Sequence, residues 1–369
     1  MRAARIATSP QPINSTLNLA MTFEITIRHS GLGGSTDHRV ECQADETILN
    51  AALRANLLLP YGCRDGACGS CKSRLVDGEV RHATHQSSTL TEVEQKQGYL
   101  LPCVARPLSD VTIVCREVRR AGDIQIRKMP CRIESIELAA PDIAIVSLKL
   151  PARERLQFLA GQYIDILMKE GGRRSFSLAT APHDDGFLEL HIRHMASGAF
   201  TEHLFRDLPV KEILRIEGPH GAFYLREDSE KPMIFVAGGT GFAPIKSVIE
   251  HAFHLGVTRP MILYWGARAR RDLYRPHLPL QWTREHPNFS YVPVLSDPLS
   301  EDEWSGRTGF VHQAVLDDFA DLSGHQVYAC GAPAMIEAAR ADFRSLRRLQ
   351  EEEFFADSFT SAVRAEDRN

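Results

Sequence analysis

Cys63-Arg64-Asp65-Gly66-Ala67-Cys68-Gly69-Ser70-Cys71 is the stretch on which the reading of this 369-residue chain turns. Four residues and then two separate its three thiols, and a fourth, Cys103, follows after a longer segment. For four thiolates to converge on one centre while backbone N–H groups face the sulfurs, the loop must turn tightly. Gly66 and Gly69, with Gly62 ahead of them, supply positive φ, and Ala67 keeps bulk away. A structural zinc and a pair of disulfides are the other readings. Zinc sites draw their ligands two and two, whereas here one loop gives three and the fourth stands alone. Cys42, Cys115, Cys131 and Cys330 sit singly in apolar or strand-like text and read as small buried hydrophobes. Clustered thiols behind no secretory signal read as metal ligands in a reducing, cytoplasmic compartment.

The C-x4-C-x2-C…C spacing is the one by which plant-type ferredoxins hold a [2Fe-2S] cluster, which makes Cys63, Cys68, Cys71 and Cys103 the expected ligands. Around the loop, 23–27 alternates like a half-buried strand and 47–56 has helical spacing. Further strands are expected at 73–76 and 111–115, with a turn at Asp77-Gly78. Residues 22–118 are therefore expected to form an α+β (β-grasp) ferredoxin domain. Residues 1–21 hold arginines and serines and no acid; the expectation is a disordered tail, with Met21 as the natural start, and a transit peptide is the lesser alternative. A charged stretch at 119–128, broken by Gly122, reads as an exposed linker rather than a basic docking patch.

The rest of the chain changes character twice. Over 129–228, alternating strands at 143–150, 163–168, 176–179 and 188–192 argue for an antiparallel barrel or sandwich, of which an antiparallel β-barrel is the expectation. Over 229–369, strands at 233–237, 261–265 and 326–329 alternate with helices at 245–254 and 335–343. That is the text of an α/β domain with a parallel sheet. A net charge of -4 points to no nucleic-acid partner, and no apolar run approaches the roughly 20 residues of a membrane span.

Two further motifs complete the picture. Arg174-Ser175-Phe176-Ser177 follows Gly161-Gln162-Tyr163, and Ser197-Gly198-Ala199-Phe200-Thr201 leads into a helix-like segment. Apolar Ile234-Phe235-Val236-Ala237 runs into Gly238-Gly239-Thr240-Gly241-Phe242-Ala243-Pro244, a strand, glycine turn and helix start suited to a pyrophosphate. With these, the chain resembles the ferredoxin-NADP+ reductase superfamily, in particular its bacterial NADH-dependent oxygenase reductases with an N-terminal ferredoxin domain. The likeness covers nearly everything after Met21. Within that group, Leu59-Pro60-Tyr61-Gly62-Cys63-Arg64 and His325-Gln326-Val327-Tyr328-Ala329-Cys330-Gly331-Ala332-Pro333 are similar to phrases of the CDP-6-deoxy-delta-3,4-glucoseen reductases.

The resemblance implies FAD and NADH as cofactors, with NADPH as the alternative. Arg268, Arg270 and Arg271 are placed where a 2'-phosphate could be met, but Tyr264-Trp265-Gly266-Ala267-Arg268 looks like the NADH users. It also implies that Arg174 binds FAD phosphates, Phe176 lies against the isoalloxazine, Ser177 bonds near flavin N5, and Ser175 completes the tetrapeptide. Gly198 and Thr201 would take the flavin pyrophosphate; an ordinary N-cap at Thr201 is compatible with that. Gly239, Thr240, Gly241 and Pro244 would hold the nucleotide, with Cys330 and Gly331 beside the nicotinamide. Phe359 would cover the flavin, or simply pack the last strand.

The implied sequence of events is hydride transfer to flavin N5, then single-electron steps through the cluster to a partner. That partner would be an oxygenase component or a pyridoxamine-phosphate (PMP)-dependent sugar dehydratase. A redox-sensing iron-sulfur protein and a direct flavin or ferric reductase are the rival readings. No Ser/His/Asp or zinc-protease constellation is present, and His191 and His194 read as strand residues without a catalytic role.

Overall fold

The computed structural model describes residues 5–7, 21–29, 37–120, 122, 124–184, 186–196, 198–207 and 209–360. Two compact units emerge, one ending at residue 123 and the other spanning Ile124–Phe359. The segments expected as separate flavin and nucleotide domains thus share one unit, each with its own sheet.

In the first unit a five-stranded sheet runs in the order His38–Gln43, Thr22–His29, Val111–Cys115, Ser73–Asp77, Tyr99–Leu100. Thr22–His29 pairs antiparallel with His38–Gln43 and parallel with Val111–Cys115. The period-2 pattern buries Ile25, Ile27 and Ile113, and helix Ile48–Arg54 buries Ile48, Leu49 and Ala52. Thr47 caps that helix by accepting the Asn50 N–H at 3.2 Å.

Short strands fall within both the expected tail and the expected linker. Arg5–Ala7 forms a strand parallel to Glu79–His82, whose other edge is taken by Ala105–Pro107. An open strand edge is a template for any nearby backbone, whatever its composition. The rest of 1–20 lies outside the described residues. Strands enter the expected linker from both sides: Arg119–Arg120 pairs with Leu57–Leu58, and Arg127–Ala140 begins at the far end. Three of the linker's cations are matched, Arg119 with Glu117 (2.6 Å), Arg127 with Glu154 (2.6 Å) and Lys128 with Glu217 (3.2 Å).

The second unit opens with an antiparallel sheet ordered Arg173–Ser177, Tyr163–Leu167, Ile213–His220, Arg127–Ala140, Ile143–Lys149, Leu188–Arg193. Its inner face packs Ile133, Val146, Ile164, Ile166, Leu190 and Ile192 with Phe200 and Leu204 of helix Ala199–Arg206. The expected barrel is not closed by a ladder. Its two edge strands meet through the single bridge Leu178↔Leu190, because the chain leaves the sheet after Leu178.

The second sheet is parallel throughout, in the order Arg307–Thr308, Phe289–Leu295, Met261–Ala267, Met233–Gly238, Gln326–Gly331, Phe354–Ser358. Strand order reverses between Met233–Gly238 and Gln326–Gly331, the crevice where such sheets bind ligands. Strand Phe289–Leu295 and helices His277–Glu285 and Val311–Asp318 were not anticipated from the sequence. Pro293 disguises the strand; its ring is tolerated because Arg307–Thr308 pairs only with Val294 and Leu295.

Candidate metal centre and redox site

The three loop sulfurs and Cys103 form two pairs. Cys71 Sγ lies 3.3 Å from Cys103 Sγ, and Cys63 and Cys68 share a side-chain hydrogen bond. Cys68 Sγ also accepts from the Cys63 N–H at 3.4 Å and from Ser70, and Cys63 Sγ accepts from the Ala67 N–H at 3.4 Å. None of the eight cysteines is in a disulfide. No three of the four sulfurs lie within 4.8 Å of one another. A single zinc, with Zn–S near 2.3 Å, would draw all four into a tetrahedron with edges of about 3.8 Å. Two pairs of thiols instead match two irons, so the donor set fits a [2Fe-2S] cluster.

Electrostatics agree. The hydrogen bond to Cys68, then burial, pushes the Cys63 thiol far up, and Cys71 and burial do the same to Cys103. The hydrogen bond from Cys63 outweighs burial at Cys68 and lowers its thiol to about 6. A cationic centre is what would hold Cys63 and Cys103 as thiolates beside Cys68. The loop is also shaped for close approach. Gly66 has φ +79°, and a Cβ there would stand 2.7 Å from the Cβ of His85.

In the second unit, strand alternation puts Arg174 and Phe176 on one face and Ser175 and Ser177 on the other. The Phe176 ring lies 5.5 Å from Phe200, which sets the motif against helix Ala199–Arg206. The half-buried Arg174 donates to the Arg173 carbonyl at 2.8 Å. Ser175 gives its hydroxyl to buried Asp165 at 2.7 Å, away from the aromatic face. Asp165, Glu217 and His220 form the one metal-type group of this kind among the described residues, and Arg173 and Lys128 stand against its two carboxylates.

The N-cap of helix Ala199–Arg206 is Gly198, not Thr201, and no side chain caps that end. A Cβ at Gly198 would meet Thr201 Oγ1 at 2.7 Å. Thr201, third in the helix, accepts the Met195 N–H at 3.1 Å and turns its hydroxyl toward the Met195 and Gly198 carbonyls. Ser197 lies outside the described residues. The uncapped first turn leaves its N–H groups for an anion.

At the crevice of the parallel sheet, Gly239–Gly241 makes the tight turn into helix Phe242–His254, with Thr240 buried and Pro244 in the first helical turn. Gly239 has φ +53°, and a Cβ on Gly241 would stand 2.0 Å from the Cys330 carbonyl oxygen. The glycine turn and the Cys330-Gly331 turn therefore interlock. The Arg193 guanidinium, from the flavin-side sheet, lies over Gly239, where a Cβ would be 3.2 Å from its nearest nitrogen. Its Nε faces Asp142 at 3.3 Å.

Ser177 Oγ donates to Asp357 Oδ2 at 3.2 Å. Asp357 sits opposite Cys330 in the ladder joining Gln326–Gly331 to Phe354–Ser358. Burial first, then the Asp357 charge, drives the Cys330 thiol well above its usual range, so it stands protonated. Phe359 lies just beyond the last strand, 38% exposed, its N–H donating to the Gly331 carbonyl at 2.9 Å. Ser177, Cys330, Gly331 and Phe359 are thus brought together. Asp357 and Arg193 were missed: neither belongs to a recognised motif, although an acid inside the apolar run Phe354-Phe355-Ala356-Asp357-Ser358 is a signal in itself.

The two sheets of this unit are joined by buried polar groups. His191 Nε2 meets Glu189 Oε1 at 2.9 Å and its Nδ1 meets the Tyr274 hydroxyl at 2.8 Å. Burial favours neutral His191, against the pull of Glu189. Burial would raise Glu189, but the His191 hydrogen bond and Lys246 charge prevail and hold it at about 2. The carboxylate accepts, so Nε2 carries the imidazole proton and the Tyr274 O–H donates to Nδ1. His191 is a structural link, in keeping with its non-catalytic reading.

Fold and site together define an iron-sulfur flavoprotein that oxidises a pyridine nucleotide. Three family descriptions match in sequence: "2Fe-2S iron-sulfur cluster binding domain" over residues 33–108, "Oxidoreductase FAD-binding domain" over 130–224 and "Oxidoreductase NAD-binding domain" over 235–341. The chain is 43% identical over 339 residues to CDP-6-deoxy-L-threo-D-glycero-4-hexulose-3-dehydrase reductase of Yersinia pseudotuberculosis, covering 92% of this chain and 99% of that protein. It is 35% identical over 348 residues to the phenol hydroxylase P5 protein of Acinetobacter pittii, covering 93% and 96%. Among solved structures it is similar to Amycolatopsis cytochrome P450 reductase GcoB, with TM-score 0.75 and 34% identity over 92% of this chain and 100% of that one. The chain belongs to the ferredoxin-NADP+ reductase-type family of [2Fe-2S] reductases. It is an oxidoreductase that passes electrons from NAD(P)H through FAD and the cluster to a partner.

Proposed function

We propose that this reductase uses NADH and serves a sugar-nucleotide 3-dehydrase in the cytoplasm. The observation that carries the site is the convergence of Ser177, Asp357 and Cys330 at the crevice of the parallel sheet. FAD, when bound, accepts a hydride as an electron pair and releases single electrons. The chain's own residues hold and orient. Arg174 and the N-terminus at Gly198 would bind the flavin phosphates, Phe176 would lie against the isoalloxazine, and Asp357 fixes the Ser177 hydroxyl that would bond near flavin N5. Gly239, Thr240, Gly241 and Pro244 present backbone to the nucleotide pyrophosphate, with Arg193 supplying a cation over the turn. Cys330 and Gly331 would lie beside the nicotinamide, and Phe359, whose N–H bonds the Gly331 carbonyl, would cover the flavin. Ser175, which donates to Asp165, and Thr201, in the first turn of helix Ala199–Arg206, would complete the flavin-binding set.

The dehydrase reading rests on the likeness to the Yersinia reductase, which spans nearly the whole of both chains. An oxygenase component is the second reading, favoured by the 35% identity to the phenol hydroxylase protein. Anaerobic NADH should bleach the flavin and then the cluster absorbance. A sensor with scaffold domains would leave both unbleached. With purified acceptors, a PMP-dependent sugar dehydrase should be reduced faster than an oxygenase component, and the reverse order would replace the first reading by the second. Cys68→Ser should abolish delivery to the acceptor while flavin reduction persists. A direct flavin or ferric reductase would keep full activity.

A further inference from the structure

We propose that one face of helix Phe242–His254 is a clamp that sets the spacing between the nucleotide turn and the flavin strand, with Lys246 as its positioning residue. The inference rests on the reading that these two elements hold the nucleotide and the flavin. Lys246, Ser247, Glu250, His251 and His254 recur at helical spacing on that face. They run along residues 179–183, which begin two positions after Ser177.

Lys246, 8% exposed, donates to the Ala179 carbonyl at 3.1 Å and to Glu250 at 2.8 Å, and lies 3.5 Å from Glu189. Ser247 donates to the Thr180 carbonyl at 2.6 Å, and the Thr180 hydroxyl accepts the Glu189 N–H at 2.6 Å. Further out, the His183 ring stacks on His254 at 3.9 Å and 5°, with His251 at 5.8 Å. The Lys246, Ser247 and histidine contacts with Ala179, Thr180 and His183 join the helix that follows Gly239–Gly241 to the segment that continues the flavin motif, and Glu189 and Glu250 brace the ammonium and the Thr180 hydroxyl from either side.

A role as general glue is the simpler alternative, but the chemistry is costly for glue. Burying an ammonium against two half-buried carboxylates spends desolvation that an apolar contact would not. What the ion provides is directional: it satisfies a loop carbonyl that would otherwise be buried unpaired, at a fixed distance from the helix axis. Hydride transfer needs the reacting atoms held about 3–3.5 Å apart, so a small slip between helix and strand slows transfer without weakening binding.

The holoenzyme tests this with Lys246→Met, Ser247→Ala and Lys246→Arg. At saturating NADH, flavin reduction in Lys246→Met should slow by about 10- to 100-fold with Kd for NADH within about threefold, and Lys246→Arg should restore most of the rate. Independently of turnover, amides of residues 178–184 should exchange at least about tenfold faster in Lys246→Met. A reduction rate within about twofold of wild type, or a rise in Kd with the limiting rate unchanged, would overturn the clamp. If Lys246→Met does not fold, Ser247→Ala decides by the same readouts. If the underlying site reading is wrong, wild-type flavin stays oxidised under NADH; the exchange comparison still decides the clamp.

Discussion

Asp357 shows how much a single side chain decides at this site. It holds the Ser177 hydroxyl at 3.2 Å and stands against a protonated Cys330. Losing that hydrogen bond should cost on the order of 1–1.5 kcal/mol of ordering, so Ser177→Ala and Asp357→Asn are each expected to slow flavin reduction about tenfold in stopped flow, with NADH affinity little changed. In the first unit, His82 makes a different prediction. Burial, and secondarily His85, lowers it to about 4, and its Nε2 accepts the Leu101 N–H at 3.2 Å. The unfolded chain, with an ordinary histidine, takes up the proton first as pH falls below about 6.5. Stability is therefore lost between roughly pH 6.5 and 4, by up to about 3 kcal/mol. Melts at pH 7 and pH 5, followed by cluster absorbance, should show the drop, and His82→Gln should flatten it.

At the scale of elements, interlocked turns matter more than any one strand. Gly241→Ala places a Cβ where the Cys330 carbonyl oxygen already stands, so either the glycine turn or the Cys330-Gly331 turn must move. A loss of about 2–3 kcal/mol, seen as a thermal midpoint lower by roughly 4–12 °C, is expected together with weakened NADH binding in titration. The local signals of these elements were legible in the sequence. Glycine turns, the cysteine spacing and period-2 strands are short-range patterns, and the strand before Gly239 and the helix after Gly241 formed as their residues predict. What escaped depended on distant partners. The unclosed edge at Leu178, the strand carrying Pro293 and the pairing of Arg5–Ala7 are fixed by neighbours remote in sequence. The helix start at Gly198 was illegible for a smaller reason: a glycine cap leaves no side-chain mark, whereas Thr201, three residues on, carries a hydroxyl.

For the whole molecule, the division at residue 123 separates cluster chemistry from flavin and nucleotide chemistry. Residues 124–360 expressed alone should bind FAD and reduce ferricyanide with NADH at a rate within about threefold of the full chain, yet fail to reduce the physiological acceptor. Equal loss of both activities would show that the two units do not stand apart in function.

The sulfur pairs also differ in their access to water. Cys71 and Cys103 are buried, whereas Cys63 and Cys68 are only half so. Of the four residues that would hold the cluster, Cys63 and Cys68 are therefore the sulfurs that peroxide or a chelator would reach first, and Cys71 and Cys103 the ones the fold would shield.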